Sequence, residues 1–187
     1  SCCDILVDLY YNTLKDEDVF LFGKASGVSA LYCILADKGY FEKKDLVNYI
    51  KNYPLASKEV PGIIHSVGSC GHGLSVACGI ALENRNKKVY VLLGDGECQE
   101  GSVYEACLFA RQHKLKNLYV IIDRNDLQAL GEIKDILDLE TAFEFMKKTL
   151  PNCEIVKTIK GIFGEKDYTS HYHNLTLEEL NKALCKI

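Results

Sequence analysis

The chain of 187 residues is long enough for one domain with a core of its own and too short for two comfortable ones. Hydrophobic residues make up 48% and charged residues 26%, ordinary globular usage that argues against a disordered chain. A formal net charge of -4 gives no footing for nucleic acid or an anionic membrane surface as partner, and no apolar run approaches the roughly 20 residues of a membrane span. The opening Ser1-Cys2-Cys3-Asp4-Ile5-Leu6 lacks the basic-then-apolar pattern of a secretory signal, so the chain is expected in the cytoplasm. Nine cysteines form no CxxC pair, and several sit inside apolar patterns. They are expected to be small thiols in a reducing compartment rather than metal ligands or disulfides.

In chain order, apolar residues recur at helical spacing over Asp4 to Leu14 and Val28 to Leu35. Asp45 to Tyr53 reads as a shorter helix that stops before Pro54. Gly68-Ser69-Cys70-Gly71-His72-Gly73 then leads into a helical stretch from Leu74 to Leu82. A glycine-rich turn opening a helix either hosts an anion or a flat ring against its backbone, or serves close packing of small residues. Spacing alone leaves both readings open.

From Lys87 the pattern changes. Lys88 to Leu93 and Leu118 to Ile122 are nearly continuous apolar runs, the signature of strands buried on both faces, and Glu154 to Ile159 is a weaker third. Between the first two, Val103, Ala106, Cys107 and Ala110 make the apolar stripe of a helix over Gly101 to Lys114. Thr141 to Leu150 reads as a short helix, and a terminal helix begins near Thr176. Strand, helix and strand at these lengths imply a right-handed parallel crossover. The expected fold class is α/β: a single domain over 1–187, with a mostly parallel sheet and helices on both faces. In such sheets ligands bind beyond the carboxyl ends of the strands.

Two polar segments stand at those ends: Gly94-Asp95-Gly96-Glu97-Cys98-Gln99-Glu100-Gly101 and Asp123-Arg124-Asn125-Asp126-Leu127-Gln128. If the strands are neighbours, Asp95 and Asn125 share one crevice. A carboxylate, an amide oxygen and a nearby backbone carbonyl form an oxygen-only set of the kind magnesium favours alongside phosphate and water. The glycines flanking Asp95 permit a tight turn and let backbone N–H groups approach a diphosphate. Gly-Asp-Gly alone is a common turn tripeptide; its placement opposite Asn125 is what gives it weight. His171 and His173 lie in a polar stretch before the terminal helix and read either as metal ligands or as solvated loop. His65 and His113 are assigned no role.

Together these segments resemble the N-terminal part of transketolase. Gly94 to Ala106 is similar to that family's diphosphate motif and the helix after it, and His113 to Gln128 to the segment ending in its second metal ligand. Gly68 to Gly73 resembles the loop touching the cofactor's pyrimidine and thiazole rings, Lys157 to Gly161 a late strand, and Phe20 to Tyr40 an early helix. The resemblance implies that Asp95 and Asn125 ligate Mg2+ through side chains and Leu127 through its carbonyl. It implies that the Gly96 N–H reaches the diphosphate, that Gly68, Ser69 and Cys70 line thiamine diphosphate, and that Glu100 sits at a subunit contact. His171 best matches the family's late histidine, which contacts diphosphate and substrate, with His173 as fallback. The family's reaction moves a two-carbon ketol unit from a ketose to an aldose, between sugars or sugar phosphates. The pyrimidine-binding and C-terminal domains are expected to lie outside this sequence, so the missing half is either another polypeptide, as in transketolases split into two subunits, or the rest of a longer chain of which this is a fragment. The implied partner is a C-terminal transketolase-type subunit carrying the pyrimidine-binding domain, in a heterotetramer with two copies of each chain.

The sequence departs from that family in three places. The segment Gly-His-x-Gly-Gly-Ser, expected just ahead of Ser1, is absent. Gly23-Lys24-Ala25-Ser26-Gly27 stands where the family has Ser-Lys-Gly-His-Ala, so Ser26 takes a histidine's place near the diphosphate, able to hydrogen-bond but not to carry charge. Between Leu139 and Cys153 there is room for one short helix where the family has a strand and a helix. These losses keep open two alternatives: a non-catalytic, regulatory or scaffolding subunit that retains the fold, and a divergent enzyme acting on another 2-oxo donor.

Overall fold

Short apolar runs pair into one parallel sheet, and the sheet places every polar strand end on a single edge. The computed structural model describes residues 1–161 and 176–185. Helix α1 (Cys3–Asp8) runs into a π-helical turn over Leu9–Thr13, so the helix expected from Asp4 to Leu14 changes pitch halfway. Strand β1 (Val19–Phe22) is followed by α2 (Val28–Asp37) and α3 (Leu46–Asn52). Then come α4 (His72–Glu83), β2 (Val89–Gly94), α5 (Gly101–Gln112) and β3 (Leu118–Arg124). A small hairpin of β4 (Leu127–Gln128) and β5 (Gly131–Glu132) leads into α6 (Ile133–Ile136) and α7 (Glu140–Thr149). Strand β6 (Cys153–Lys157) completes the sheet, and α8 (Leu177–Leu184) follows residues outside the described range.

The sheet order is β1-β2-β3-β6, all parallel, with Val19 beside Val89, Val89 beside Leu118, and Val120 beside Cys153. The expected crossover β2–α5–β3 is present, and the fold class is the α/β sheet read from the sequence. Two expectations fail locally. Lys157 to Gly161, likened above to a late strand, lies beyond β6 except for Lys157 itself. Phe20 to Phe22, assigned above to an early helix, belongs to β1, and the helix starts only at Val28.

Alternation along the strands divides the core. Leu21, Val89, Val91, Leu93, Val120 and Ile122 face α4, α5 and α7, while Phe22, Tyr90 and Leu92 face α1, α2 and α3. Strand β2 is buried along its whole length, which is why it reads as an unbroken apolar run. Helix α4 offers Gly73, Leu74, Ala77, Cys78 and Ala81 to the core, and these small residues let it lie close to β2 and α5. Among the described residues no helix is long and apolar enough to cross a membrane.

Candidate functional site

At the carboxyl edge of the sheet, β2 and β3 end side by side, Gly94 opposite Asp123. The chain leaves β2 through a tight 3-10 turn over Asp95–Gln99 and leaves β3 through Asp126, which adopts a left-handed conformation at φ 62°. That reversal aims two consecutive N–H groups at one carboxylate oxygen. Asn125 and Asp126 donate to Asp95 Oδ2 at 2.9 and 2.7 Å, and Gly96 donates to Asp95 Oδ1 at 2.9 Å. Arg124 holds the turn from outside, with its Nε 2.7 Å from Asp126 Oδ1, a second contact to Glu140, and its guanidinium over Phe143. Asp95 and Asn125 are each 2% exposed, so the strand ends meet in a dry corner rather than in open solvent.

Three of the roughly four acceptor positions of the Asp95 carboxylate are used by these N–H groups, which leaves one. Asn125 Oδ1 accepts the Leu127 N–H at 3.1 Å and likewise keeps a second lone pair. With the Leu127 carbonyl at the start of β4, the donors are oxygen only, and they suit a small hard cation that completes its shell with phosphate and water. Among the described residues there is no competing cluster of three or more His, Cys, Asp or Glu side chains able to hold a metal. Burial raises the pKa of Asp95, while the Lys24 charge and the three backbone N–H groups counter it.

The glycine-rich segment comes to the same corner through a residue that sequence reasoning passed over. Glu97, 6% exposed, accepts the Gly71 N–H at Oε1 (3.0 Å) and the Gly94 N–H at Oε2 (2.8 Å). Burial raises its pKa too, against those two N–H groups and Lys24. Gly71 itself sits at φ 83° as the residue before α4, and a Cβ there would meet Ser102 Oγ at 2.7 Å and Glu100 Cβ at 3.0 Å. Gly68, Ser69 and Cys70 stand exposed on the same loop.

Lys24 is the second residue the sequence did not single out. Its ammonium lies 3.0 Å from Asp123 Oδ2 at the end of β3. Asp123 is fully buried and also accepts hydrogen bonds from Ser1 Oγ (2.7 Å) and from Thr158 Oγ1. Burial alone would raise the Asp123 pKa, but Lys24 and the two hydroxyls outweigh it and hold the carboxyl below its ordinary value. Burial and the Lys24 charge push Lys160 down, with Asp95 and Asp123 opposing. Two lysines and two carboxylates thus gather beside the Gly94–Gly96 turn. The signal available in the sequence was positional: Lys24, Asp95 and Lys160 come soon after the ends of β1, β2 and β6, and Asp123 is the last residue but one of β3.

The other expected site residues fare differently. Ser26 is exposed on the 3-10 turn Ala25–Gly27 that follows Lys24, with no hydrogen bond to the corner. Glu100 is exposed at the start of α5. His171 and His173 lie outside the described residues.

The family model described as "Transketolase, thiamine diphosphate binding domain" matches residues 11–152. An apulose-4-phosphate transketolase subunit of Phocaeicola vulgatus is 34% identical, over 98% of this chain and 73% of its own length. The protein of the same name from Actinobacillus succinogenes is 39% identical, over 87% and 68%. Among solved structures, transketolase from Campylobacter jejuni subsp. jejuni superposes with a TM-score of 0.80 at 27% identity. That match covers 98% of this chain but 37% of the Campylobacter chain, so the present sequence spans little more than a third of that enzyme.

Proposed function

The chain belongs to the transketolase family through its thiamine diphosphate-binding domain, and from that premise we propose that it is the diphosphate-binding subunit of a transketolase-type transferase completed by a partner chain. The observation that carries this reading is the junction of the two strand ends, where Asp95 Oδ2 receives the N–H groups of Asn125 and Asp126. Asp95 and Asn125 are both buried there and Leu127 follows two residues on, which supports an oxygen-only ligand set.

In this reading Asp95, Asn125 and Leu127 hold Mg2+, and the Gly96 N–H donates to the diphosphate. Gly68, Ser69 and Cys70 lie along the cofactor, Ser26 and His171 stand near the diphosphate, and His171 also faces substrate. When bound, thiamine diphosphate supplies the carbon acid that takes up and releases a two-carbon ketol unit between sugars or sugar phosphates. The chain's own contribution is to hold the metal and the diphosphate in a buried corner and fix the cofactor's orientation.

The relatives named as transketolase subunits, rather than as whole transketolases, support a partner for this chain as well. That partner is a second polypeptide carrying the pyrimidine-binding domain, and the single diphosphate-type domain over 1–187 pairs with it in a cytoplasmic heterotetramer. The test is calorimetric titration of thiamine diphosphate with magnesium into this chain, alone and with the partner. Binding that requires both chains, followed by turnover of a ketose donor, is expected. Binding without turnover of any donor favours a subunit that keeps the fold but not the reaction. Absence of binding in both arrangements overturns the assignment.

A further inference from the structure

Three segments converge at the carboxyl edge: the turn after β1 at Gly23–Lys24, the loop Gly68–Gly73 that runs into the first turn of α4, and the turn Gly94–Gln99 after β2. The first two approach through backbone, and the first also abuts β2. A Cβ on Gly73 would come within 3.0 Å of Gly23 Cα, and one on Gly23 within 3.0 Å of the Leu92 carbonyl. One side chain reaches between two of them. Glu97 grows from the third loop, and its two oxygens are divided between the Gly94 N–H of its own turn and the Gly71 N–H of the second loop, 26 positions earlier in the chain.

We propose that Glu97 is a positioning residue that couples the ring-contacting loop Gly68–Gly73 to the diphosphate turn, so that the two halves of the cofactor are received at a fixed spacing. The inference rests on the reading given under Proposed function. Its physical basis is the count of acceptors. A carboxylate accepts at both oxygens, whereas the isosteric glutamine has one oxygen and one NH2. The Gly94 bond is local, closing a capping interaction within the 3-10 turn. The Gly71 bond spans two loops, and it holds the amide of a residue whose left-handed conformation sets where α4 begins. In Glu97→Gln the single oxygen stays with the nearer donor and the NH2 group is turned against the Gly71 N–H. The loop is then released while the turn survives.

This gives a signature that general destabilisation does not. The assembled enzyme is titrated with magnesium and either thiamine diphosphate or pyrophosphate, the latter lacking both rings. For Glu97→Gln, thiamine diphosphate affinity falls about tenfold or more, the loss expected when one buried N–H is left without its acceptor. Magnesium pyrophosphate affinity stays within about twofold. Glu97→Asp keeps two oxygens but is too short to span the loops, and it shows the same split. Cys107→Ala, a core change away from the site, lowers stability and leaves the ratio of the two affinities unchanged. Equal losses for both ligands, or no loss for either, overturn the inference. Amide exchange of the ligand-free wild-type chain supplies a readout independent of cofactor and of variant folding. The Gly71 amide, in a loop whose preceding residues are exposed, exchanges slowly; rapid exchange there overturns the coupling. If the wild-type assembly fails to bind thiamine diphosphate, the functional reading fails while the exchange result still stands or falls by itself.

Discussion

Lys24 and Asp123 form an ion pair with its ammonium and carboxylate 3.0 Å apart, and Asp123 has no exposed surface. The pair ties the turn after β1 to the end of β3, across β2, and it lies beside the Asp95 corner. Removing Lys24 leaves the Asp123 carboxylate fully buried without its counter-charge. Lys24→Met is expected to cost about 3–5 kcal/mol in urea unfolding, with much of the loss recovered in Lys24→Met/Asp123→Asn. A single-variant loss under about 1 kcal/mol would show the pair behaving like a surface contact.

Asp95→Asn keeps the size of the side chain and one oxygen for the Asn125 and Asp126 N–H groups, but it removes the charge. Magnesium-dependent binding of thiamine diphosphate by the assembled enzyme is expected to disappear, while circular dichroism stays close to wild type and the melting temperature falls in step with the cost of the Gly96 N–H losing its acceptor, about 1–3 kcal/mol. Retained binding with normal metal dependence counts against the site assignment.

Gly71→Ala places a methyl group against Ser102 and Glu100 at a backbone angle of φ 83°. The expected cost is about 1–3 kcal/mol. Thermal unfolding measures it, and an unchanged melting temperature would mean that the loop relaxes away from α5.

Burial drives the Cys78 thiol up to about 11 and the Cys107 thiol up to about 12. An unfolded thiol ionises near about 8.5, so the folded chain retains these protons over a window where the unfolded chain has lost them. Stability from the two protonated thiols is therefore full below about pH 8.5 and is lost as pH rises toward 11–12, by up to about 1.4 kcal/mol per pH unit for each thiol. Urea unfolding at several pH values between 8 and 11 shows the slope, and Cys107→Ala should flatten it. Alkylation of the native chain at pH 8 should reach the exposed Cys3, Cys33, Cys70 and Cys185 well before Cys78, Cys98 and Cys107. Equal labelling of both groups argues against this burial pattern.

What was legible in the sequence was whatever burial on two faces writes into composition. Strand β2 appears as an unbroken apolar run because it is buried on both faces, and β3 reads the same way although Tyr119 and Ile121 are only half-buried; Asp95 and Asn125 stand in the polar segments that end these runs. Strand β1 was missed because four residues, Val19 to Phe22, carry no period of their own. The β4–β5 hairpin has two residues per strand and no strand pattern to read. Glu97 and Lys24 escaped for another reason. The Gly94 partner of Glu97 is local, but its Gly71 partner and the Asp123 partner of Lys24 are distant in sequence, and no spacing rule encodes those.

The neighbour of β1 in the sheet is β2, with Val19 against Val89, and no other described strand pairs with it. Everything before β2 therefore emerges from the ribosome without the surface it covers. At about 5–20 residues per second, the 70 positions between Val19 and Val89 take roughly 4–14 s to synthesise. During that interval Phe22, Leu31, Tyr32 and Leu35, all buried in the finished fold, have no sheet to pack on. The first half of the chain thus leaves apolar surface uncovered until β2 is translated, and slow codons between α4 and β2 would lengthen that exposure more than slow codons after β3.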